Sequence, residues 1–197
     1  MGPQRSPVRI DDAAPVKIAS LSFAFAISPT AIAADDSLQA DKIDVARAAL
    51  EKAKAKGVRF LLPVDHVLAD AFDAKATSSV FEGDGAFPAE LMALDIGPKT
   101  VELFSREIAE AQTVLWNGPM GVFEFPAFAV GTNAIAKAVA ANEGATTIVG
   151  GGDSVSAIHK SGFAEKITHI STGGGASLEF LEGKTLPGVA ALSETKL

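Results

Sequence analysis

The chain has 197 residues, 48% of them hydrophobic and 21% charged, with a formal net charge of -7. This describes one well-buried globular domain and excludes a disordered chain. The negative balance argues against nucleic acid as a main partner, because such proteins neutralise phosphates with Lys and Arg. The absence of Cys rules out disulfides and thiolate metal sites.

Residues 1–36 differ in composition from the rest, being rich in Pro, Ala and Ser without an amphipathic period. Lys17, the apolar stretch from Ile18 to Ile27 and the sequence Ala31-Ile32-Ala33 together resemble a secretory leader. Asp11 and Asp12 and the long lead-in favour a strand or a replaced, non-native leader over that reading, so the expected location is cytoplasmic and export is the alternative. No apolar run reaches the roughly 20 residues of a membrane span, so no membrane partner is expected.

After Asp36 the pattern becomes regular. Asp41 is placed to cap a helix with Ile43, Ala46, Leu50 and Ala53 on one face, Lys52, Lys54 and Lys56 in its last turns, and Gly57 at its end. The nearly unbroken apolar run Val58 to Val64 predicts a strand with both faces covered. Val67-Leu68-Ala69 extends it, and Gly83-Asp84-Gly85 and Pro88 mark turns. Pro98 opens a helix with Val101, Phe104, Ile108 and Ala111 inward. Thr113 to Trp116 is a second strand, followed by the turn-rich stretch Asn117 to Gly121. A helix over about Phe128 to Asn142 carries Ile135 and Val139 inward. The third and fourth strands, Thr146 to Val149 and Ile167 to Ile170, each run into a glycine stretch and then a helix, the last ending at Gly183. This alternation predicts an α/β, three-layer, Rossmann-like domain over residues 37–197, with a mainly parallel sheet and helices on both faces. Ligands of such sheets sit at the carboxyl ends of the strands.

Gly150-Gly151-Gly152-Asp153-Ser154 lies between a strand and a helix. Glycines let a ligand approach the backbone, and the unpaired amides and partial positive charge of a helix start suit a phosphate chain. Asp153 supplies an oxygen ligand for the magnesium that accompanies such a chain. The competing reading is a tight turn with no ligand. Ser171-Thr172-Gly173-Gly174-Gly175-Ala176-Ser177 repeats the device on the next strand, and two such helix starts on one rim can stabilise charge on a transferring phosphoryl group. Asn117-Gly118-Pro119-Met120-Gly121 makes a rigid turn able to pack on a flat base; Glu124 either accepts bonds from ribose hydroxyls or is simply solvated.

Other nucleotide fingerprints fail. There is no G-x-G-x-x-G with a downstream acid and no G-x-S-x-G elbow. Gly183-Lys184-Thr185 imitates the end of a P-loop, but Leu178 stands where its first glycine belongs, so these residues read as a helix terminus. His66, His159 and His169 are scattered and read as structural.

The strings LLPVDHVLAD (61–70), LDIGPKT (94–100), WNGPMGVFEF (116–125), TTIVGGGDS (146–154) and HISTGGGASLEFLEGKTLPGVAAL (169–192) resemble those of phosphoglycerate kinases, in the family's order and spacing, over Ser37 to Leu192. The resemblance implies a nucleotide-binding C-terminal domain that holds ATP or ADP with Mg2+. It implies an adenine site between Leu38 and Leu94, completed by Pro119, Gly121 and Val122, with Asn117 near the nucleotide and Glu124 on the ribose. Gly151, Gly152, Asp153 and Ser154 would take the phosphates, Asp153 the magnesium, and Gly152 and Gly175 would support the transition state. Family members are longer. Their N-terminal domain, which binds 3-phosphoglycerate and carries a catalytic arginine, has no counterpart here. Nor does the family's Gly-Ala-Lys stretch, since Lys17 sits in no such motif. The expectation is therefore a fragment that binds nucleotide and engages 3-phosphoglycerate only if an N-terminal domain is supplied; a non-catalytic nucleotide-binding or interaction module is the alternative.

Overall fold

The computed structural model describes residues 40–82, 87–171 and 173–191. The divergent leader, Leu38, Thr172 and the turn at Gly83-Asp84-Gly85 lie outside the described residues.

Helix α1 spans Ala40–Ala55. Asp41 is its second residue, inside the helix and not at its cap. The helix closes as expected: Gly57 takes φ 65°, and the amides of Gly57 and Val58 donate to the carbonyls of Lys54 and Ala53.

Val58 to Val64 does not form the expected strand. Val58, Phe60, Leu61, Leu62 and Val64 are 36–50% exposed. An apolar run becomes a strand only where a neighbour completes its ladder, and among the described residues none pairs with it. The strand begins instead at Asp65 and ends at Ala69 (β1). Two further strands, Ser78–Glu82 (β2) and Met92–Ile96 (β3), flank it antiparallel in the order β2-β1-β3. Sequence patterning misses both, because β2 is almost wholly exposed and β3 is five residues long.

Helix α2, Pro98–Glu110, starts where its proline predicts and buries Thr100, Phe104 and Ile108. Its N-terminus is held by Asp65, whose carboxylate accepts from the amides of Lys99 (2.8 Å) and Thr100 (2.7 Å) and from the Thr100 hydroxyl (2.6 Å). A carboxylate from a neighbouring strand thus does the work of an N-cap side chain. At the other end, Asn142 Nδ2 donates to the carbonyls of Ile108 and Ala111.

The second sheet is parallel, in the order β4-β5-β6: Thr113–Asn117 (β4), Thr146–Gly150 (β5) and His169–Ser171 (β6). The intervening helices are α3, Val130–Ala141, and α4, Gly152–Lys160. Helix α5, Gly174–Leu181, follows β6, and a short helix, Pro187–Ala190 (α6), follows that. Gly183, at φ 80°, closes α5, with the Lys184 amide donating to the Glu179 carbonyl, as read for a helix terminus.

The expected α/β class with a parallel sheet holds, but the two faces of that sheet are packed unevenly. Val114, Trp116 and Val149 point into one core with Phe104 and Ile108 of α2, Ile135 and Val139 of α3, and Ala157 and Ile158 of α4. On the opposite face Leu115 and Ile148 are half-buried and His169 is exposed. A smaller core unites Ala69, Leu94 and Phe128 with Val67, Val122 and Phe125. Among the described residues no helix is long and apolar enough to cross a membrane.

Candidate phosphate-binding rim

Parallel pairing aligns the exits of the three strands. Asn117 stands in register with Gly150, and Gly150 with Ser171, so β4, β5 and β6 deliver their following loops to one rim. Beyond β5 the chain turns at Gly151, where φ is 90° and ψ 136°, a conformation that side-chain-bearing residues rarely adopt. Gly152 then opens α4. Among the described residues no side chain caps α4 or α5 at its N-terminus, which leaves their first amides without a side-chain acceptor there.

The two helix starts lie against each other. A Cβ on Gly174 would stand 2.6 Å from the Cα of Gly151, so the loops meet backbone to backbone. Gly152 and Gly175 are exposed, and a Cβ at either would meet nothing within 4 Å. The second helix begins at Gly174, one residue before the glycine singled out from the sequence. Asp153, in the first turn of α4, is exposed. The second loop is tied internally, Ser177 Oγ lying 2.7 Å from Ser171 Oγ and donating to the Gly173 carbonyl.

Asn117 overhangs the first loop, its Oδ1 3.0 Å from where a Gly151 Cβ would be. The Gly118 amide donates to Ser154 Oγ at 2.5 Å, and the Trp116 indole N–H donates to the Gly118 carbonyl at 2.7 Å. Ser154 is 1% exposed. Its hydroxyl therefore fixes the turn after β4 and does not face the rim. Asn117, Gly151, Gly152, Asp153 and Gly175 are brought together at the rim; Ser154 stands beneath them.

Leu94, Gly121 and Val122 form a second group. The Val122 amide donates to the Leu94 carbonyl at 2.8 Å, and Gly121 packs so closely that a Cβ would stand 2.5 Å from that oxygen. The Leu94 side chain is 4% exposed and lies in the smaller core with Phe128, so it supports this wall from behind. Pro119 is half-buried and Glu124 exposed. Lys160, at the end of α4, stands 4.9 Å from the Phe123 ring centre and pins the same turn.

Sequence reasoning missed Asp95 and Thr132. Asp95 is 4% exposed; Oδ1 accepts from the Ile96 amide at 2.9 Å and Oδ2 from the Gly131 amide at 2.8 Å. Burial raises its pKa to about 6, against the pull of its backbone donors. Thr132, 0% exposed, accepts through Oγ1 from the amides of Met120 and Gly121. One signal for Asp95 was available: a carboxylate flanked by Leu94 and Ile96 in an apolar strand needs partners.

Among the described residues no group of three or more His, Asp or Glu is placed to hold a metal ion. Magnesium commonly reaches such sites with a phosphate chain, using one or two carboxylates and retaining water, and the lone exposed Asp153 beside the rim fits that mode.

This architecture is that of an α/β protein in which adjacent parallel strands each pass through glycines into an uncapped helix. The phosphoglycerate kinase family model matches residues 20–184, and the chain belongs to that family. It is 70% identical over 157 residues to the phosphoglycerate kinase of Acidobacterium capsulatum, covering 80% of this chain and 39% of that protein. It is 68% identical over 155 residues to that of Koribacter versatilis, covering 79% and 38%. Among solved structures it resembles the phosphoglycerate kinase of Coxiella burnetii with a TM-score of 0.71 at 42% identity, covering 76% of this chain and 38% of that one. The corresponding values for the Pyrococcus horikoshii enzyme are 0.65, 35%, 78% and 37%. The chain thus spans about two fifths of the length of the relatives it matches.

Proposed function

We propose that this chain is the nucleotide-binding half of a phosphoglycerate kinase and holds ADP or ATP on the rim of its parallel sheet. The observation that carries this reading is the contact between Gly151 and Gly174, which sets two uncapped helix N-termini side by side. Two positive helix ends at one point favour a multiply charged anion over a single carboxylate. The phosphates would lie across the amides of Gly151, Gly152 and Gly175. The base would rest on the turn of Pro119, Gly121 and Val122, with Leu94 behind it and Leu38 as the expected opposite wall, and Glu124 would reach the ribose.

Asp153 would hold the Mg2+ that arrives with the nucleotide, and that ion would offset phosphate charge during transfer. The chain's own part is positional: its amides are fixed before the reaction and directed at the transferring group. Transfer between ATP and 3-phosphoglycerate is the activity of the whole kinase. This chain would need a supplied N-terminal domain to engage 3-phosphoglycerate, so a coupled assay on the purified chain alone should give no turnover.

Asp153→Ala tests the metal assignment. In calorimetric titrations it should weaken MgADP binding roughly tenfold or more while leaving magnesium-free ADP within about twofold. Equal losses would contradict the assignment.

A further inference from the structure

The turn proposed to carry the base is not held by its own sequence. It is held by the buried hydroxyl of Thr132 and the Leu94 carbonyl, and it packs closely on the buried carboxylate of Asp95. The amides of Met120 and Gly121 both donate to Thr132 Oγ1, at 3.0 and 3.3 Å. The backbone of Gly121 lies so close to Asp95 that a Cβ there would stand 2.5 Å from Oδ1. The other carboxylate oxygen receives the Gly131 amide, and a Cβ on Gly131 would stand 2.4 Å from Oδ1. Two glycines therefore face one carboxylate, and the residue after the second glycine is the threonine that holds the turn.

We propose that Asp95 and Thr132 are a positioning pair: they lock the start of α3 against β3 and hang the 119–122 turn from it, and so set the nucleoside end of the ligand independently of the phosphate end. This rests on the nucleotide reading above. The physical ground is that the acceptor for the Met120 and Gly121 amides is distinct from the glycine contact that sets the rim, while the rim helix α4 meets this stretch at its two ends, through Ser154 at Gly118 and Lys160 at Phe123. The rim is set by Gly151, Gly174 and the Ser171–Ser177 contact, none of which touches Asp95 or Thr132. Thr132 is fully buried, so its hydroxyl cannot meet ligand or solvent, and its effect must pass through the two amides it accepts. Losing that acceptor leaves two buried donors unpaired, which the turn relieves by moving.

The test compares ADP with inorganic tripolyphosphate, which has the charge but no nucleoside. Thr132→Val keeps the side-chain shape and removes the acceptor; Thr132→Ser keeps the acceptor and removes a methyl group. Each purified chain is titrated with both ligands by calorimetry, after its cooperative melt shows that it is folded at the working temperature. The expected result is a roughly tenfold loss of ADP affinity in Thr132→Val, tripolyphosphate affinity within about twofold of the parent, and recovery of most ADP affinity in Thr132→Ser. Asp95→Asn, which turns a donor toward one of the two amides and keeps an acceptor for the other, should show the same selective loss. If Thr132→Val loses both ligands equally, or neither, the pairing is wrong and the nucleotide reading stands. If the parent chain binds tripolyphosphate but not ADP, or binds neither, the nucleotide reading itself fails and this inference with it.

Discussion

The proposed phosphate site uses three glycines whose requirements differ. Gly151 needs its positive φ; Gly174 needs the absence of a side chain because Gly151 occupies the space; Gly152 needs neither for packing, since nothing stands within 4 Å of its missing Cβ. Gly174→Ala should therefore push the two helix starts apart. We expect at least a tenfold loss of ADP affinity, checked by calorimetry, with Gly188→Ala, also in open space, as the silent control. Asp95 gives a pH signature. Its folded pKa of about 6 lies above its ordinary value of 3.8, so between these values the folded state binds more protons than the unfolded one. Stability attributable to Asp95 then rises as pH falls from about 6 toward 4, with a limiting slope of roughly 1.4 kcal/mol per pH unit. Denaturant unfolding of the parent and Asp95→Asn across that range measures the difference; a difference that shrank on acidification would contradict the assignment. The position of the glycine loops was legible in the sequence because each glycine run follows an apolar strand and precedes a helical stretch. The commitment of Ser154 to the Gly118 amide was not, because it joins the turn after β4 to the first turn of α4, 36 residues on.

At the scale of elements, local signals worked where one residue decides an end. Pro98 starts α2, and Gly57 and Gly183 finish α1 and α5, each through its own backbone preference. They failed where a partner decides. Val58 to Val64 has the composition of a buried strand and no pairing strand among the described residues, while the mostly exposed Ser78–Glu82 is a strand because β1 pairs with it. The Asp65 clamp on α2 belongs to this scale also. It joins a strand to a helix start 35 residues later and replaces the absent side-chain cap. Asp65→Ala leaves the amides of Lys99 and Thr100 without their acceptor and should cost about 2–4 kcal/mol in denaturant unfolding. Glu102→Ala removes only an exposed pair on the same helix and should change stability by less than about 0.5 kcal/mol.

Across the whole molecule, core and exposed apolar surface are distributed unequally. One face of the parallel sheet is sealed by α2, α3 and α4; the other is half-open, and β4 has a strand on one side only among the described residues. Leu178, Phe180 and Leu181 of α5 are also exposed. The rim is set by the parallel pairing of β5 with β6 and by the contact of Gly174, the first residue of α5, with Gly151. The central claim is that both helix starts grip one anionic chain together. Backbone amide NMR during titration with MgADP measures it directly. The amide resonances of Gly152 and Gly175 should move together, saturably and with one dissociation constant; movement of only one of them, of neither, or of the two with different constants would contradict the account.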